Sequence, residues 1–235
     1  ISLFSLIQSI FGIGLLIFGT PTLLIYGFSF IEALNILLLP SISISFLQVF
    51  GSSLRKHKEI INLKYYFYIY CIPFLIIGLF IVQINYENLD FKKFIGITLI
   101  CLTAIRLLNT KISYLNLNSE RYYIGINILI GIIHGITNMG GSFLSLFVSN
   151  LFQTDKQKIR YLIAYCYLVM GIIQLIFIQI FFTTQVTFLN FFYMIIGIAI
   201  FQIFGNKLLK TISNFNYQKI ISLIIFIYGL ILIIG

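Results

Sequence analysis

Gly131–Ile–Ile–His–Gly–Ile–Thr–Asn–Met–Gly–Gly–Ser142 sits in the middle of an otherwise apolar run from Tyr122 to Leu151. A bilayer's hydrocarbon core is crossed by roughly 20 residues of helix, so the run has the length of a span. Its composition argues against a single span. Adjacent Gly140 and Gly141 each weaken a helix by about 1 kcal/mol relative to alanine. Thr137, Asn138 and Ser142 place polar groups beside them. In lipid, backbone groups released by such a break must be satisfied by protein or by water in a cavity. The stretch therefore predicts two half-helices meeting at a polar joint. The first apolar stretch, Ser2 to Tyr26, carries a second interruption at Gly12, Gly14, Gly19 and Pro21.

Six further apolar stretches lie around these two: Ser29 to Gln48, Tyr65 to Gln83, Phe91 to Leu108, Tyr161 to Phe182, Phe188 to Phe204 and Ile220 to Gly235. Pro73 predicts a kink in the second of them. Charge tests how the eight are threaded. If all eight cross the membrane, the connectors on the two sides carry +5 and +4, which is no bias. Membrane proteins keep Lys and Arg on the cytoplasmic side. If the first and fifth stretches enter and return on the same side, the division becomes +10 against −1. Only Lys92 and Lys93 of the 15 basic residues then remain outside.

The expected fold is an all-α polytopic membrane protein with about eight hydrophobic segments. Two of them are broken and re-entrant, and the whole forms two inverted repeats. Residues 1–113 make the first repeat and 114–235 the second, within a single integral membrane domain. Inverted repeats whose interrupted segments meet near the midplane are a recurrent transporter plan.

Composition agrees with this class. The chain of 235 residues is 60% hydrophobic and 9% charged, with mean hydropathy +1.06, whereas soluble domains carry about 25% charged residues. The net charge of +9 is spread through short connectors, so it reports topology and not nucleic-acid binding. The start, Ile1 to Phe11, has neither a basic flank nor a small-residue cleavage site, and does not read as a signal peptide. Cys71, Cys101 and Cys166 lie in apolar stretches without paired spacing, which implies neither a disulfide nor a metal site. No cofactor motif is present. The enzyme motifs are absent too, and Ser142 with His134 is the only conceivable nucleophile and base, so the chain reads as no enzyme.

A helix that begins just after a break points its N-terminal N–H groups and positive dipole end into the membrane interior, which suits an anion. Gly140, Gly141 and Ser142 open one such helix, with Thr137 and Asn138 before it. Gly12, Gly14, Thr20 and Pro21 belong to the other. His134, one turn before the second break, fits either a proton relay or a donor to an anion. Gln48 and Gln174 occupy comparable spans of the two halves and either line a polar path or join helices. Glu32 and His57 read as solvated, and Tyr65 to Tyr68 as an interfacial belt.

Ser9–Ile–Phe–Gly–Ile–Gly–Leu–Leu–Ile–Phe–Gly–Thr–Pro–Thr22, followed by Phe30–Ile–Glu–Ala33, resembles the opening of the TauE/SafE family of sulfite and organosulfonate exporters. The second half repeats the signature from Gly131 to Ser142. The resemblance covers the whole chain. It implies export of a small, often sulfur-containing anion across a bacterial inner membrane, and places the site at Gly12, Gly14, Pro21, Gly140, Gly141 and their polar neighbours. The expected function is a secondary transporter of an anion such as sulfite or a C2 organosulfonate, held between the two Gly-rich broken helices at mid-membrane. Its partners are that anion and the lipid bilayer, with proton coupling and a homodimer both compatible with the pattern. An anion or small-solute channel with re-entrant half-helices is the alternative.

Overall fold

The computed structural model describes residues 1–52, 54, 58–109, 120–152, 155–182, 184–211, 223 and 225–233. Every regular element among them is helical. The first half holds α1 (Ser2–Phe11), α2 (Leu15–Ile25), α3 (Phe30–Phe50), α4 (Lys58–Tyr66), α5 (Ile72–Asn85) and α6 (Phe91–Asn109). The second holds α7 (Glu120–Thr137), α8 (Gly140–Phe152), α9 (Lys156–Phe181), α10 (Phe188–Ile200), α11 (Asn206–Thr211) and α12 (225–233). Among the described residues, Phe30–Phe50, Ile60–Asn85, Lys156–Phe181 and Phe188–Gly205 are long and apolar enough to cross a membrane. Ser2–Phe11, Leu15–Ile25 and Gly140–Phe152 are shorter apolar helices. The expected repeat boundary between 113 and 114, and His57, lie outside the described residues.

Local chemistry sets the helix starts. Ser29 and Glu32 form a reciprocal capping box, with the Ser29 amide donating to Glu32 Oε2 at 2.8 Å. Glu32 therefore serves the first turn of α3 by satisfying an amide that has no helical acceptor. Asp155 accepts from the amides of Gln157 and Lys158 at 3.1 and 3.0 Å and starts α9. The Thr187 amide donates to Asn190 Oδ1 at 2.9 Å at the start of α10.

The helix through Pro73 stays continuous. It runs from α4 to α5 through a π-helical turn, Phe67–Cys71. Pro73 has no amide hydrogen for the carbonyl of Ile69, and the widened turn falls at that missing bond. α10 passes into α11 through another π turn, Phe201–Gly205, with no proline near it. In the first stretch only Gly12 to Gly14 interrupts the helix, and Gly19 and Pro21 lie inside α2. Gly19 serves packing, since a Cβ there would lie 2.8 Å from Leu37 of α3.

Small residues bring the helices close, as they do where lipid supplies no hydrophobic driving force. α5 crosses α7 at Gly78, Gly131 and Gly135, where a Cβ on Gly135 would lie 2.5 Å from the Leu75 carbonyl. α1 crosses α10 and the second π turn at Ser5 and Ser9. Gly205 there leaves 3.2 Å between a would-be Cβ and Ser9 Cβ.

Side-chain contacts fix the ends. α7 and α8 fold back on each other, with the rings of Tyr122 and Tyr123 at 6.0 and 5.8 Å from Phe147. Lys64 Nζ donates to the Tyr161 hydroxyl at 3.0 Å, so the helix from Lys58 and α9 start at the same end of the bundle. At the opposite end Asn35 Nδ2 donates to the Gln185 carbonyl and Asn190 Nδ2 to that of Asn35. The Tyr86 and Phe182 rings also meet there.

Candidate functional site

Both joints are built the same way at the backbone. α1 ends with the Gly12 amide bonded to the Gln8 carbonyl at 2.8 Å, and Gly12 has φ +76°. α7 ends with the Asn138 amide bonded to the His134 carbonyl at 2.9 Å, and Asn138 has φ +62°. Each helix thus stops at a left-handed residue, a conformation open to glycine and tolerated by asparagine. A constant spacing of 126 residues relates Gln8 to His134, Gly12 to Asn138, Gly14 to Gly140, Leu15 to Gly141, Ser41 to Tyr167 and Gln48 to Gln174.

The side chains at these related positions do different things. In the first joint the Gln8 amide donates to the Ser41 carbonyl (2.9 Å), Ser41 Oγ (3.0 Å) and Ser45 Oγ (3.2 Å). Its Oε1 accepts from the Leu15 amide at 3.2 Å, which caps α2. Gln48 Nε2 donates to the carbonyls of Gln8 and Ser9 at 2.9 and 3.1 Å. Here Gln48 binds α3 to the end of α1. Gly12 packs under α9, where a Cβ would lie 3.0 Å from the Arg160 carbonyl.

In the second joint a hydrogen-bonded chain runs across three helices and both halves. His134 Nε2 meets Gln174 Oε1 at 3.1 Å. Gln174 Nε2 donates to Asn138 Oδ1 at 3.3 Å, and Asn138 Nδ2 donates to Thr20 Oγ1 at 2.9 Å. Thr20 of α2 is thereby joined to the second break. Thr137 Oγ1 accepts from the Met139 amide at 3.1 Å, and Ser142 Oγ donates to the Met139 carbonyl at 2.5 Å. His134, Asn138, Ser142, Tyr167 and Gln174 are all fully buried.

Two polar atoms beside this chain have no partner: His134 Nδ1 and the Tyr167 hydroxyl. The two rings are edge to face, with centroids 5.7 Å apart. The Tyr167 hydroxyl occupies the place a Cβ on Gly141 would take, so it lies against the first turn of α8. The first amides of a helix have no intrahelical acceptor, and Gly140 and Gly141 carry those of α8. Since Gln174 Oε1 can only accept, His134 Nε2 donates this bond, and in the neutral imidazole Nδ1 presents a lone pair. The second joint therefore offers an O–H donor, helix-end amides and one proton acceptor, all out of water.

Of the residues singled out in the sequence, His134, Thr137, Asn138, Gly140, Gly141, Ser142, Gln174 and Thr20 come together here. Gly12, Gly14 and Gln48 form the first joint, and Pro21 lies in α2 one residue past Thr20. Sequence reading did not single out Gln8, Ser41, Ser45 or Tyr167. Ser41, Ser45 and Gln48 fall on one stripe of α3 at helical spacing, and Tyr167 stands two turns before Gln174. That periodicity was the available signal.

Apolar helices of spanning length around a buried polar site between two interrupted segments define a polytopic, all-α membrane protein. The chain belongs to the TauE/SafE sulfite exporter family, whose model matches residues 1–232. It is a transporter of the sulfite-exporter type and a multi-pass membrane protein. Neither the curated proteins nor the solved structures gave a match.

Proposed function

We propose that this protein is a secondary transporter that exports a small oxyanion, sulfite or a C2 organosulfonate, across a bacterial inner membrane. The anion is bound at the second joint by the amides opening α8, the Tyr167 hydroxyl and the polar chain His134–Gln174–Asn138–Thr20. The observation that carries this reading is the pair of buried, unpartnered polar atoms, His134 Nδ1 and Tyr167 Oη, beside the α8 N-terminus. Buried polar groups are nearly always paired, and an orphan costs about 1–3 kcal/mol. A ligand whose oxygens accept from Tyr167 and the α8 amides, and whose proton goes to Nδ1, would satisfy both. Hydrogen sulfite, or an anion moved together with a proton, has that chemistry.

The same reading takes the two halves as inverted repeats, with α1–α2 and α7–α8 entering from opposite faces. Support comes from the 126-residue correspondence and from the fold-back of α8 on α7. Full burial of the site corresponds to a state closed to both faces, and alternating access then requires the surrounding helices to rock.

The test is thermal stability of the purified protein against sulfite, isethionate, sulfoacetate, taurine, acetate and sulfate. A ligand at 100 times its Kd adds about 2.7 kcal/mol to the folded state. A rise with a sulfur oxyanion that is diminished in Tyr167→Phe supports the site. If sulfite and the sulfonates all leave stability unchanged while flux through proteoliposomes rises linearly with concentration, a channel replaces the carrier.

A further inference from the structure

We infer that a second oxyanion site lies at one end of the bundle, between α4 and α9, built by Lys64 with Tyr161, Tyr165 and Tyr68. Lys64 Nζ donates to the Tyr161 hydroxyl at 3.0 Å and stands 3.8 Å from the centroid of the Tyr165 ring. It also lies 5.1 Å from the Tyr161 ring. The Tyr165 and Tyr68 hydroxyls share one hydrogen bond of 2.5 Å. Tyr161 is 2% exposed, and the Lys64–Tyr161 bond is partly buried.

The balance of donors and acceptors identifies the ligand. An ammonium has three N–H groups, and one of Lys64's goes to Tyr161. The Tyr161 O–H is left over, and so is one O–H of the Tyr68–Tyr165 pair. No carboxylate lies within 4.0 Å of Lys64 among the described residues, whose ion pair is Lys93 with Asp90. The cluster holds a positive charge stabilised by two aromatic faces, several unspent donors and no anion. An oxyanion supplies the acceptors and the negative charge that this cluster lacks, and a charge-assisted bond to it is worth about twice a neutral one.

Position supplies the role. Tyr161 lies six residues before Tyr167 on α9, about 9 Å along the helix axis. An anion held by Lys64 is therefore one short step from the proposed transport site, on the face that carries the basic connectors. The ligand is either the transported anion on its way in or the phosphate of an anionic lipid, and both present the same oxygens. The first alternative rests on the function proposed above. The second does not.

The experiment uses the full chain in neutral detergent and follows thermal unfolding with added sulfite or added phosphatidylglycerol. The variants are Lys64→Gln, Lys64→Arg and Tyr161→Phe, each made in wild type and in Tyr167→Phe, which removes the donor at the second joint. In the Tyr167→Phe background, Lys64→Gln is expected to weaken the remaining ligand-induced stabilisation about tenfold in apparent affinity, the effect of one charge-assisted bond. Lys64→Arg is expected to retain it, because the guanidinium keeps the charge and stacks on Tyr165. A Lys64-dependent response to sulfite identifies the transported anion as ligand, and one to phosphatidylglycerol alone identifies the lipid phosphate. If neither probe gives a response that depends on Lys64, or if Lys64→Gln lowers basal stability without changing either response, the site does not exist and Lys64 only anchors the helix. Failure of the transport-site reading shows separately, as a sulfite response indifferent to Tyr167.

Discussion

The two joints share a backbone and differ in what fills them. At the first, Leu15 and Ser41 hold the positions 126 residues before Gly141 and Tyr167, and Gln8 reaches across to pair with Ser41, Ser45 and the Leu15 amide. At the second, the sizes are exchanged. Gly141 stands opposite Tyr167, and His134 replaces Gln8. The first joint spends every polar atom of the Gln8 side chain on its own helices, and leaves the Gln48 Oε1 acceptor and the Ser5 hydroxyl unpaired. The second leaves Tyr167 Oη and His134 Nδ1 unspent, which is what a ligand site requires in the absence of ligand. The same backbone break thus carries different side-chain chemistry: the second joint leaves an O–H beside a helix N-terminus, and the first an amide oxygen and a serine hydroxyl.

The strongest way to break this comparison is to add bulk at the second joint. Gly141→Leu collides with Tyr167 and is expected to prevent folding, well beyond the 1–3 kcal/mol of ordinary overpacking. The double variant Gly141→Leu/Tyr167→Ser copies the first joint and is expected to recover a folded protein without transport. Size-exclusion profiles and proteoliposome flux read both. Recovery of transport along with the fold would show that the joints are interchangeable.

Next in size is Gln8→Ala. It strands the Leu15 amide and two serine hydroxyls, at about 1–3 kcal/mol for each buried group left unpaired, and is expected to cut stability by several kcal/mol. His134→Gln, which installs the first joint's residue in the second, is expected to keep most of the stability and abolish transport. Thermal unfolding beside flux checks the pair. Equal stability losses at the two positions would erase the distinction between fixed and functional joints.

Asn138→Gly sharpens it further. Glycine keeps the left-handed turn that Gly12 uses, so the backbone survives, but the links to Thr20 and Gln174 go. The expected loss is about 1–2 kcal/mol with reduced transport, and Asn138→Ala should cost about 1 kcal/mol more for placing a Cβ at positive φ. Tyr167→Phe is the smallest in stability. It removes a hydroxyl that has no partner, so the ligand-free protein should be unchanged or slightly more stable, while the sulfite-induced stabilisation is reduced. A clear drop in ligand-free stability would mean the hydroxyl is paired.

Away from the joints, Asp90 provides a pH control. The Lys93 amide bonded to it, at 3.2 Å, holds its carboxyl below the usual range. A depressed folded value means its contribution is present above the ordinary carboxylate pKa and fades as pH falls through the lowered one. Asp90→Asn should remove that acid-side dependence and leave transport at neutral pH unaltered.

Much of this was legible in the sequence. The glycine pairs and the polar run from Thr137 to Ser142 announced the second joint, because few other residues tolerate those breaks in lipid. The Gln48 and Gln174 correspondence was visible as well. Gln8, Ser41, Ser45 and Tyr167 were not, because a lone amide, two serines and a tyrosine in apolar helices look alike whether they pair with each other or await a ligand. Gly19 and Pro21 read as interruptions, yet the helix runs through both, and at Gly19 the packing of Leu37 decides.

The sequence by itself determined that the chain is helical, lies in a membrane and carries two weakened segments, since hydropathy, glycine placement and family signature are local properties of the chain. Which polar groups at each joint are paired and which are left over was decided only by tertiary structure. Hydrogen-bond satisfaction depends on partners brought from other helices: Ser41 and Ser45 to Gln8, and Thr20, Tyr167 and Gln174 to the second break. No run of residues records whether a buried donor has met its acceptor.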